Sequence, residues 1–463
     1  KKIKGVSFFY FNKENRVTER VFLASKKYSN KYTLVISGDC IILDQNFIEF
    51  YFQKVKKFKK YDFLQFKSVP PYQIGYEGIS LFKTTAWKKV NDLSINKIFQ
   101  EHPGYIIKKE SKKFKIKYIN APKCFTLKKK IRLSIDTQSD LDFFNIISNN
   151  ENTSNLTLNI IKKYSHLSIV NSHVSQKLPH TKVEIEVILI TIKSKKFGLG
   201  HYKRSLILKR EISETFSSNV KIINLENKKI NNLKKIKNKN LIIDLPKHIL
   251  INLEKIVDLD SNKVVIIDQT TSKFKKRLII IPSLYIEKKI KNIFYGSKYL
   301  IVNRQVLLAK YLYKREKVDK NLLLSGGSSI PSKDLVLNIN KKYKKKFDYI
   351  TGPYIKNLNI KFNYLKNFKR IKNPSNIFKL FVNYEKIFTR LGITIYEIIA
   401  CGKIPIIWFE KNDSFVRKKY INYLYKKKII QVLNFKENTK IRKIKFPFGG
   451  NKTVKLIKNF YEC

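Results

Sequence analysis

The sequence predicts an α/β protein in three successive blocks, of which the last two are predicted to be Rossmann-like lobes. Three observations support this prediction. Apolar segments of strand length alternate with helical or polar segments, a pattern typical of parallel sheets covered by helices. Two of the apolar segments lead into glycine-bearing turns, at residues 198–200 and 325–327. The length of 463 residues suffices for two to four domains, and an apolar content of 43% supports sizeable cores.

The first block covers residues 1–178 and is predicted to be an incomplete Rossmann-type domain. Its pattern predicts a strand at residues 33–37 and a helix at residues 46–59. A polar run at residues 148–155 breaks the periodicity, and an amphipathic segment then extends to residue 178. Residues 179–183, which begin with a proline, are therefore predicted to be a linker.

The second block, residues 184–310, begins with the apolar segment 183–192, a glycine-bearing loop and a helical pattern from His201. Further strands are predicted at residues 220–223, 241–244, 264–268 and 278–281. The third block, residues 311–463, repeats the alternation, with strands predicted at residues 322–324, 348–351, 386–388 and 404–408. The second and third blocks therefore each have the strand–helix order of a parallel α/β lobe.

The net charge of +61 arises from 96 Lys and Arg against 35 Asp and Glu. Such an excess is compatible with a basic nucleic-acid-binding protein, which neutralises phosphates with cationic side chains. The lysines are spread along the whole chain, however, and accompany an enrichment in Asn and Ile, so drift in composition is the favoured interpretation. No specific nucleic-acid partner is predicted, although the charge favours phosphorylated substrates by long-range attraction.

The four cysteines form no CxxC pair and no Cys/His cluster, which indicates free thiols and a cytoplasmic location. The longest apolar runs are too short to span a bilayer, so no transmembrane segment is predicted. The sequence begins with Lys1 in place of a methionine and shows no signal peptide, so we expect that it starts inside a domain.

The first candidate site is Gly198-Leu199-Gly200-His201, where a strand turns into a helix. Glycines allow backbone amides to approach a ligand, and the start of a helix favours an anion. An imidazole there can contact a phosphate or act as a base near neutral pH, and Arg204 shares its helix face. The alternative is a polar loop histidine without a chemical task.

The second candidate site lies at residues 389–405, in the third block. Gly392 and Thr394 stand at a predicted helix start, where amide and hydroxyl donors can hold a diphosphate. Glu397 follows on the first turn, where its carboxylate can accept hydrogen bonds from two ribose hydroxyls. The alternative is an acidic residue that merely stabilises the start of the helix.

These motifs resemble the UDP-sugar hydrolases of the pseudaminic acid pathway. The glycine–histidine–arginine motif of residues 198–204 resembles the family's opening motif, and similarity continues in order through residues 264–268, 296–304, 322–328 and 389–405. The last segment is also shared with lipid-intermediate glycosyltransferases. This resemblance covers about 280 residues, from 184 to 463, and implies a GT-B arrangement of two lobes.

The resemblance implies hydrolysis of a UDP-activated diacetamido-trideoxy sugar to free sugar and UDP, in nonulosonic acid biosynthesis. His201 is implied as the general base, without a cofactor. The UDP-sugar would be bound by a larger set of residues: Gly198, Gly200, Arg204, Gly326, Gly327, Ser328, Gly392, Thr394 and Glu397. Two positions depart from the family pattern, since Ser329 replaces an aspartate and only Gly392 remains of a glycine pair.

In the first block, Asp39 and Asp136 each follow a predicted strand, where a carboxylate is well placed for Mg²⁺. Together with residues 75–80, 101–103 and 171–177, their order resembles the cytidylyltransferases that activate nonulosonic acids. This family begins with a basic segment that binds the triphosphate of CTP. That segment has no counterpart in residues 1–178, so we do not expect this domain to transfer a nucleotide. CTP and a nonulosonic acid are partners only if the full-length protein supplies that segment.

Two alternatives to the hydrolase stay open from the sequence. A GT-B glycosyltransferase would use the same two lobes, with an acceptor hydroxyl in place of water. A basic nucleic-acid-binding protein belongs to another class, and the net charge and 26 tyrosines are its support.

Overall fold

The computed structural model describes residues 7, 9–13, 16–28, 31–67, 73–74, 79–175, 185–216, 218–226, 233–234, 236–256, 261–270, 277–286, 291–313, 318–324, 331–354, 368–372, 374, 376–409, 414–436, 442, 444, 446 and 450–462. The chain divides into two compact units. The first comprises Lys1–Ser172 with Lys177–Thr181, and the second comprises His173–Gln176 with Lys182–Cys463.

The first unit is a small α/β domain around a mixed sheet. Its strands are β1 (Tyr32–Ile36), β2 (Phe63–Lys67), β3 (Gln73–Ile74), β4 (Ile79–Lys83), β5 (Ile116–Asn120) and β6 (Thr126–Leu127). Its helices are α1 (Val17–Lys27), α2 (Gln45–Lys57), α3 (Thr84–Leu93), α4 (Lys97–Glu101), α5 (Pro103–Lys109), α6 (Gln138–Glu151) and α7 (Leu158–Lys163).

The main sheet of this unit has the strand order β1-β4-β2-β5, and β4 runs antiparallel to both of its neighbours. The sheet is therefore mixed, and in this respect the first unit differs from the mostly parallel sheet expected of a Rossmann-type domain. Aromatic side chains fill its core, including Phe63, Phe82 and Trp87. Helix α6 begins at Thr137 with a capping box, in which Thr137 and Asp140 each accept from the other's backbone amide.

The second unit begins with a six-stranded lobe, whose sheet order is β12-β11-β10-β9-β7-β8. Its strands are β7 (Val187–Thr191), β8 (Val220–Asn224), β9 (Asn240–Asp244), β10 (Lys263–Ile267), β11 (Arg277–Ile281) and β12 (Ile293–Tyr295). Its helices are α8 (Gly200–Phe216) and α9 (Lys247–Ile256). All strand pairs are parallel, so the carboxyl ends of the strands share one edge of the sheet.

The second lobe has the same architecture, with the parallel sheet order β15-β14-β13-β16-β17-β18. Its strands are β13 (Asn321–Leu324), β14 (Phe347–Thr351), β15 (Phe368–Lys372), β16 (Ile387–Thr389), β17 (Pro405–Ile407) and β18 (Gln431–Val432). Its helices are α10 (Arg304–Leu312), α11 (Lys333–Tyr343), α12 (Ile377–Asn383), α13 (Ile393–Ala400) and α14 (Phe415–Lys426).

The final helix, α15 (Asn451–Glu462), packs on the first lobe. Its residues Val454, Ile457 and Tyr461 are buried in the first-lobe core, and the Tyr461 hydroxyl donates to the carbonyl of Leu241 over 2.8 Å. The chain thus crosses between the lobes twice, once from β12 to α10 and once before α15. These two crossings connect the lobes, and the second one places α15 against the core of the first lobe.

The structure confirms the α/β fold class and the two Rossmann-like lobes. Each lobe of the second unit is a six-stranded parallel sheet with helices between its strands. Among the residues that the structure describes, no helix is both long and apolar enough to cross a bilayer.

Candidate functional site

The turn that carries the first motif connects the buried strand β7 to helix α8. Gly198 has φ of +72°, a conformation that side-chain-bearing residues seldom adopt, and its amide donates to the carbonyl of Ser194 over 2.7 Å. Helix α8 then begins at Gly200, so the free amides of its first turn point towards the carboxyl edge of the sheet. His201 and Arg204 lie on this first turn.

His201 is held by a carboxylate from the neighbouring strand β9. Its Nδ1 lies 2.7 Å from Oδ1 of Asp244 and 3.3 Å from the nearest Arg204 nitrogen. An unprotonated nitrogen at 2.7 Å from a carboxylate oxygen would be repelled, so Nδ1 carries the proton and donates it to Asp244. In the neutral ring, Nε2 then carries the lone pair, and it has no hydrogen-bond partner in the described part of the chain.

Arg204 fixes the same carboxylate from the other side. Its Nε and Nη2 donate to the two oxygens of Asp244 over 2.7 and 2.6 Å, and its Nη1 donates to Asp268 over 2.9 Å. Burial alone would raise the pKa of the Asp244 carboxyl, but Arg204 and His201 outweigh it and hold that pKa below its usual value. Burial alone would lower the pKa of Arg204, and the two carboxylates raise it above its usual value.

The structure shows the guanidinium of Arg204 engaged by protein carboxylates. The resemblance implied contact with UDP, whereas Arg204 is 5% exposed and its guanidinium is paired with Asp244 and Asp268. Arg204 is therefore a positioning residue for Asp244, and through it for His201.

Asp244 was not among the residues singled out from the sequence. It is the last residue of β9, and β9 pairs directly with β7, from which the His201 turn emerges. The available signal was an aspartate at the carboxyl end of a buried strand, in an all-parallel sheet. The pairing of β7 with β9, which skips β8, was needed to bring it next to His201.

The second motif forms the start of α13, as the sequence predicted. Gly392 is the residue before this helix, and a methyl group in its place would meet no described atom within 4 Å. The hydroxyl of Thr394 has no hydrogen-bond partner among the described residues. The helix ends before Gly402, which has φ of +78°. The expected companions Gly326, Gly327 and Ser328 lie outside the described residues.

The starts of the two helices meet in the cleft between the lobes. A methyl group on Gly200 would lie 3.9 Å from Cδ1 of Ile393, the first residue of α13. Further along α8 the cleft holds a cavity of about 300 Å³. The cavity is lined by residues from both lobes: Lys203, Leu206, Ile207, Arg210, Glu211, Asn303, Arg304, Phe378 and Glu397.

Glu397 lines this cavity from the second lobe. It is 7% exposed, and its carboxylate has no hydrogen-bond partner among the described residues. Burial raises the pKa of Glu397, and the positive charge of Lys203 across the cleft offsets part of this rise. A buried carboxylate without a protein partner is available to hydroxyl donors of a ligand.

The two aspartates of the first unit lie on adjoining loops. The amide of Ile135 donates to the carbonyl of Asp39 over 3.1 Å, and Cys40 pairs with Ser134 in an isolated bridge. Oδ1 of Asp39 is buried without a partner in the described part of the unit. The carboxylate of Asp136 accepts from Arg132 and from the hydroxyl of Ser134. Asp39 is thus the freer candidate ligand for a cation.

A different group, His173 with Glu211 and Glu214, has donor atoms close enough to surround one ion. His173 Nε2 lies 2.8 Å from Glu214 and 3.9 Å from Glu211. Guanidinium groups already neutralise both carboxylates, because Arg304 binds Glu211 through two hydrogen bonds and Arg210 binds Glu214. The group is therefore best described as a buried ion network that joins α8, α10 and residue 173.

Comparison with known proteins gives partial matches. No protein-family model matches the chain. An uncharacterized protein of Methanocaldococcus jannaschii is 28% identical over 199 residues, which are 39% of this chain and 40% of that protein. The chain thus spans less than half the length of this curated relative.

Similar solved structures lie in two classes. A cytidylyltransferase from Leptospira borgpetersenii matches 35% of this chain and 68% of its own, with 19% identity and a TM-score of 0.30. MurG of Acinetobacter baumannii matches 59% of this chain and 99% of its own, with 11% identity and a TM-score of 0.38. UDP-GlcNAc 2-epimerase of M. jannaschii matches 60% and 100%, with 15% identity and a TM-score of 0.34.

Proposed function

We propose that the second unit hydrolyses a UDP-activated diacetamido-trideoxy sugar to free sugar and UDP, a step in the biosynthesis of a nonulosonic acid of the pseudaminic or legionaminic type. One observation carries the proposal. His201, with its proton fixed on Nδ1 by Asp244, stands on the first turn of α8, and that turn meets the start of α13 in the cleft. A base and two sets of free helix amides are thus close to one another.

His201 acts as the general base in this proposal. Its Nε2 takes a proton from a water molecule, and the water oxygen forms a bond to the anomeric carbon. The bond between that carbon and the diphosphate oxygen breaks, so UDP leaves with the electron pair and the anomeric configuration inverts. Asp244 stabilises the imidazolium that forms, because its carboxylate is already hydrogen-bonded to Nδ1.

UDP would be held mainly by the second lobe. In this proposal, amides at the start of α13 and the hydroxyl of Thr394 donate to the diphosphate and stabilise its developing negative charge. Glu397 would accept hydrogen bonds from two ribose hydroxyls. Gly198 and Gly200 shape the opposing turn, and no cofactor takes part in this step.

The first unit is proposed to be cytidylyltransferase-like, on the strength of the motif resemblance and the adjoining Asp39 and Asp136 loops. These two carboxylates are the proposed ligands for Mg²⁺, which favours oxygen donors. CTP and a nonulosonic acid are proposed as partners only together with a basic CTP-binding segment, which residues 1–178 lack, so we expect no nucleotide transfer by residues 1–178 alone.

The hydrolase proposal is tested by supplying the UDP-sugar in ¹⁸O-labelled water without an acceptor. We expect release of UDP with an equal amount of free sugar, and ¹⁸O in the sugar but not in UDP. Mass spectrometry of both products measures this distribution. Release of UDP only after addition of an acceptor alcohol would instead establish a glycosyltransferase.

A further inference from the structure

Helix α8 presents two different faces along its length. His201, Arg204 and Leu208 face the first-lobe sheet, where Arg204 and Leu208 are buried. Lys203 and Ile207 lie on the neighbouring face and line the cavity shared with the second lobe. Their spacing of four residues places them one above the other on a helix. The second face begins at Gly200, where an added methyl group would lie 3.9 Å from Cδ1 of Ile393 on α13.

Lys203 differs from the other cations that line the cavity. Arg304 is engaged by Glu211 and Arg210 is engaged by Glu214. The ammonium group of Lys203 has no hydrogen bond and no ion pair within 4 Å in the described part of the chain. Lys203 shares the cavity with Glu397, whose carboxylate also has no hydrogen-bond partner among the described residues. Two opposite charges therefore line one cavity without pairing with each other.

We propose that Lys203 binds the diphosphate of the nucleotide and neutralises its charge as it leaves, an inference that rests on the proposed function. A ligand with an anionic group and vicinal hydroxyls satisfies Lys203 and Glu397 together, and a nucleoside diphosphate has both. Lys203 lies about one helical turn after Gly200, and an added methyl group on Gly200 would lie 3.9 Å from Cδ1 of Ile393 at the start of α13. Those helix amides also favour an anion.

The charge of the leaving group explains why such a cation is needed. UDP leaves with roughly three negative charges at neutral pH, and helix amides contribute only about half a charge at each helix start. Arg204 is committed to Asp244 and Asp268, so its charge is already balanced. Lys203 is a first-lobe cation that lines the cavity and, in the described part of the chain, has no carboxylate within ion-pair distance, so it is available to the diphosphate.

The test compares three ligands on the full chain by isothermal titration calorimetry: UDP, UMP and uridine. Lys203→Met is expected to weaken UDP binding by roughly five- to tenfold, with a smaller loss for UMP and none for uridine. Lys203→Arg should restore most of the affinity for UDP. Lys209→Met, an exposed lysine on the same helix, is the matched control and should bind all three ligands like the wild type.

Two outcomes overturn this inference alone: UDP binding that is unchanged in Lys203→Met, or an equal loss for UDP and uridine. Thermal melting of each variant confirms that the fold is retained. Failure of the wild-type chain to bind UDP at all would overturn the proposed function, and this inference with it.

Discussion

The carboxyl edge of the first-lobe sheet and the start of α13 face the same cleft, yet they differ in how their polar groups are satisfied. On the first side, His201, Arg204, Asp244 and Asp268 form a continuous network with donor–acceptor distances of 2.6–2.9 Å. On the second side, the side chains of Thr394 and Glu397 have no partner among the described residues.

This difference indicates that the two sides of the cleft have different functions, one in catalysis and one in binding. A base needs a fixed tautomer and a fixed orientation before substrate arrives, and a closed network supplies both. A binding surface needs groups that the ligand itself will satisfy, and a buried carboxylate that lines a cavity, such as that of Glu397, is such a group. The first side is therefore expected to control the rate and the stability of the fold, and the second side to control affinity for the nucleotide.

The largest effect is expected from His201→Ala. Loss of a general base should lower the rate of UDP release by roughly 10²- to 10⁴-fold, while the affinity for UDP changes by less than about twofold. Single-turnover kinetics and calorimetry measure the two quantities. His166→Ala, an exposed histidine of the first unit, is the control and should keep full activity. A large loss of UDP affinity in His201→Ala would erase the distinction between the two sides.

The next largest effects are expected from substitution of the two aspartates that pair with Arg204. Asp244→Asn should lower the free energy of unfolding by about 3 kcal/mol, because it leaves a buried guanidinium without its main partner. Asp268→Asn should cost at most about 1 kcal/mol, since the Asp268 side chain is 36% exposed. Chemical denaturation measures both values. Equal losses would show that the network is not centred on Asp244.

Glu397→Ala is expected to act on affinity. Loss of two hydrogen bonds to ribose should weaken UDP binding by about 1.5–3 kcal/mol, with little change in the rate of a saturated enzyme. Calorimetry with UDP and uridine should give similar losses for both ligands, because both carry the ribose. Wild-type affinity for UDP in Glu397→Ala would remove the ribose assignment.

The smallest effect concerns pH, and the two sides should respond in opposite directions. The pKa of Asp244 is lowered in the fold, so its contribution to stability is present above its unfolded pKa and is lost as pH falls through the folded value. The pKa of Glu397 is raised by burial, so stability falls as pH rises from its unfolded pKa through the folded value.

Glu397→Gln should therefore raise the free energy of unfolding at pH 7 by roughly 1 kcal/mol, the size of an ordinary single-site effect, and the gain should vanish near pH 4. Denaturation curves at the two pH values measure the difference. An equal gain at both pH values would show that ionisation of Glu397 is not the cause.

The sequence alone predicted much of the architecture, because buried parallel strands are continuous apolar runs. The strands predicted at residues 220–223, 241–244 and 278–281 match β8, β9 and β11 within a residue at each end. Strand β15 was not predicted, since basic side chains interrupt its short sequence Phe368–Lys372. Apolar periodicity cannot detect such an edge strand.

The site was less accessible to prediction from sequence. Glycine and histidine at a strand–helix turn identified His201, but Asp244 lies 43 residues further on and reaches it only through the order of the strands. Lys203 is one of 96 basic residues, and nothing in the sequence distinguishes it from the others. Only the structure, in which α8 faces α13, shows that Lys203 lines the cavity.

The most direct test of the account is a crystal structure of the protein with UDP bound. We predict that the diphosphate lies between the starts of α8 and α13, that the ribose hydroxyls reach Glu397, and that Nε2 of His201 faces the β-phosphate side of the cleft. Binding of UDP outside this cleft, or a His201 ring whose Nε2 points away from the diphosphate, would contradict the account.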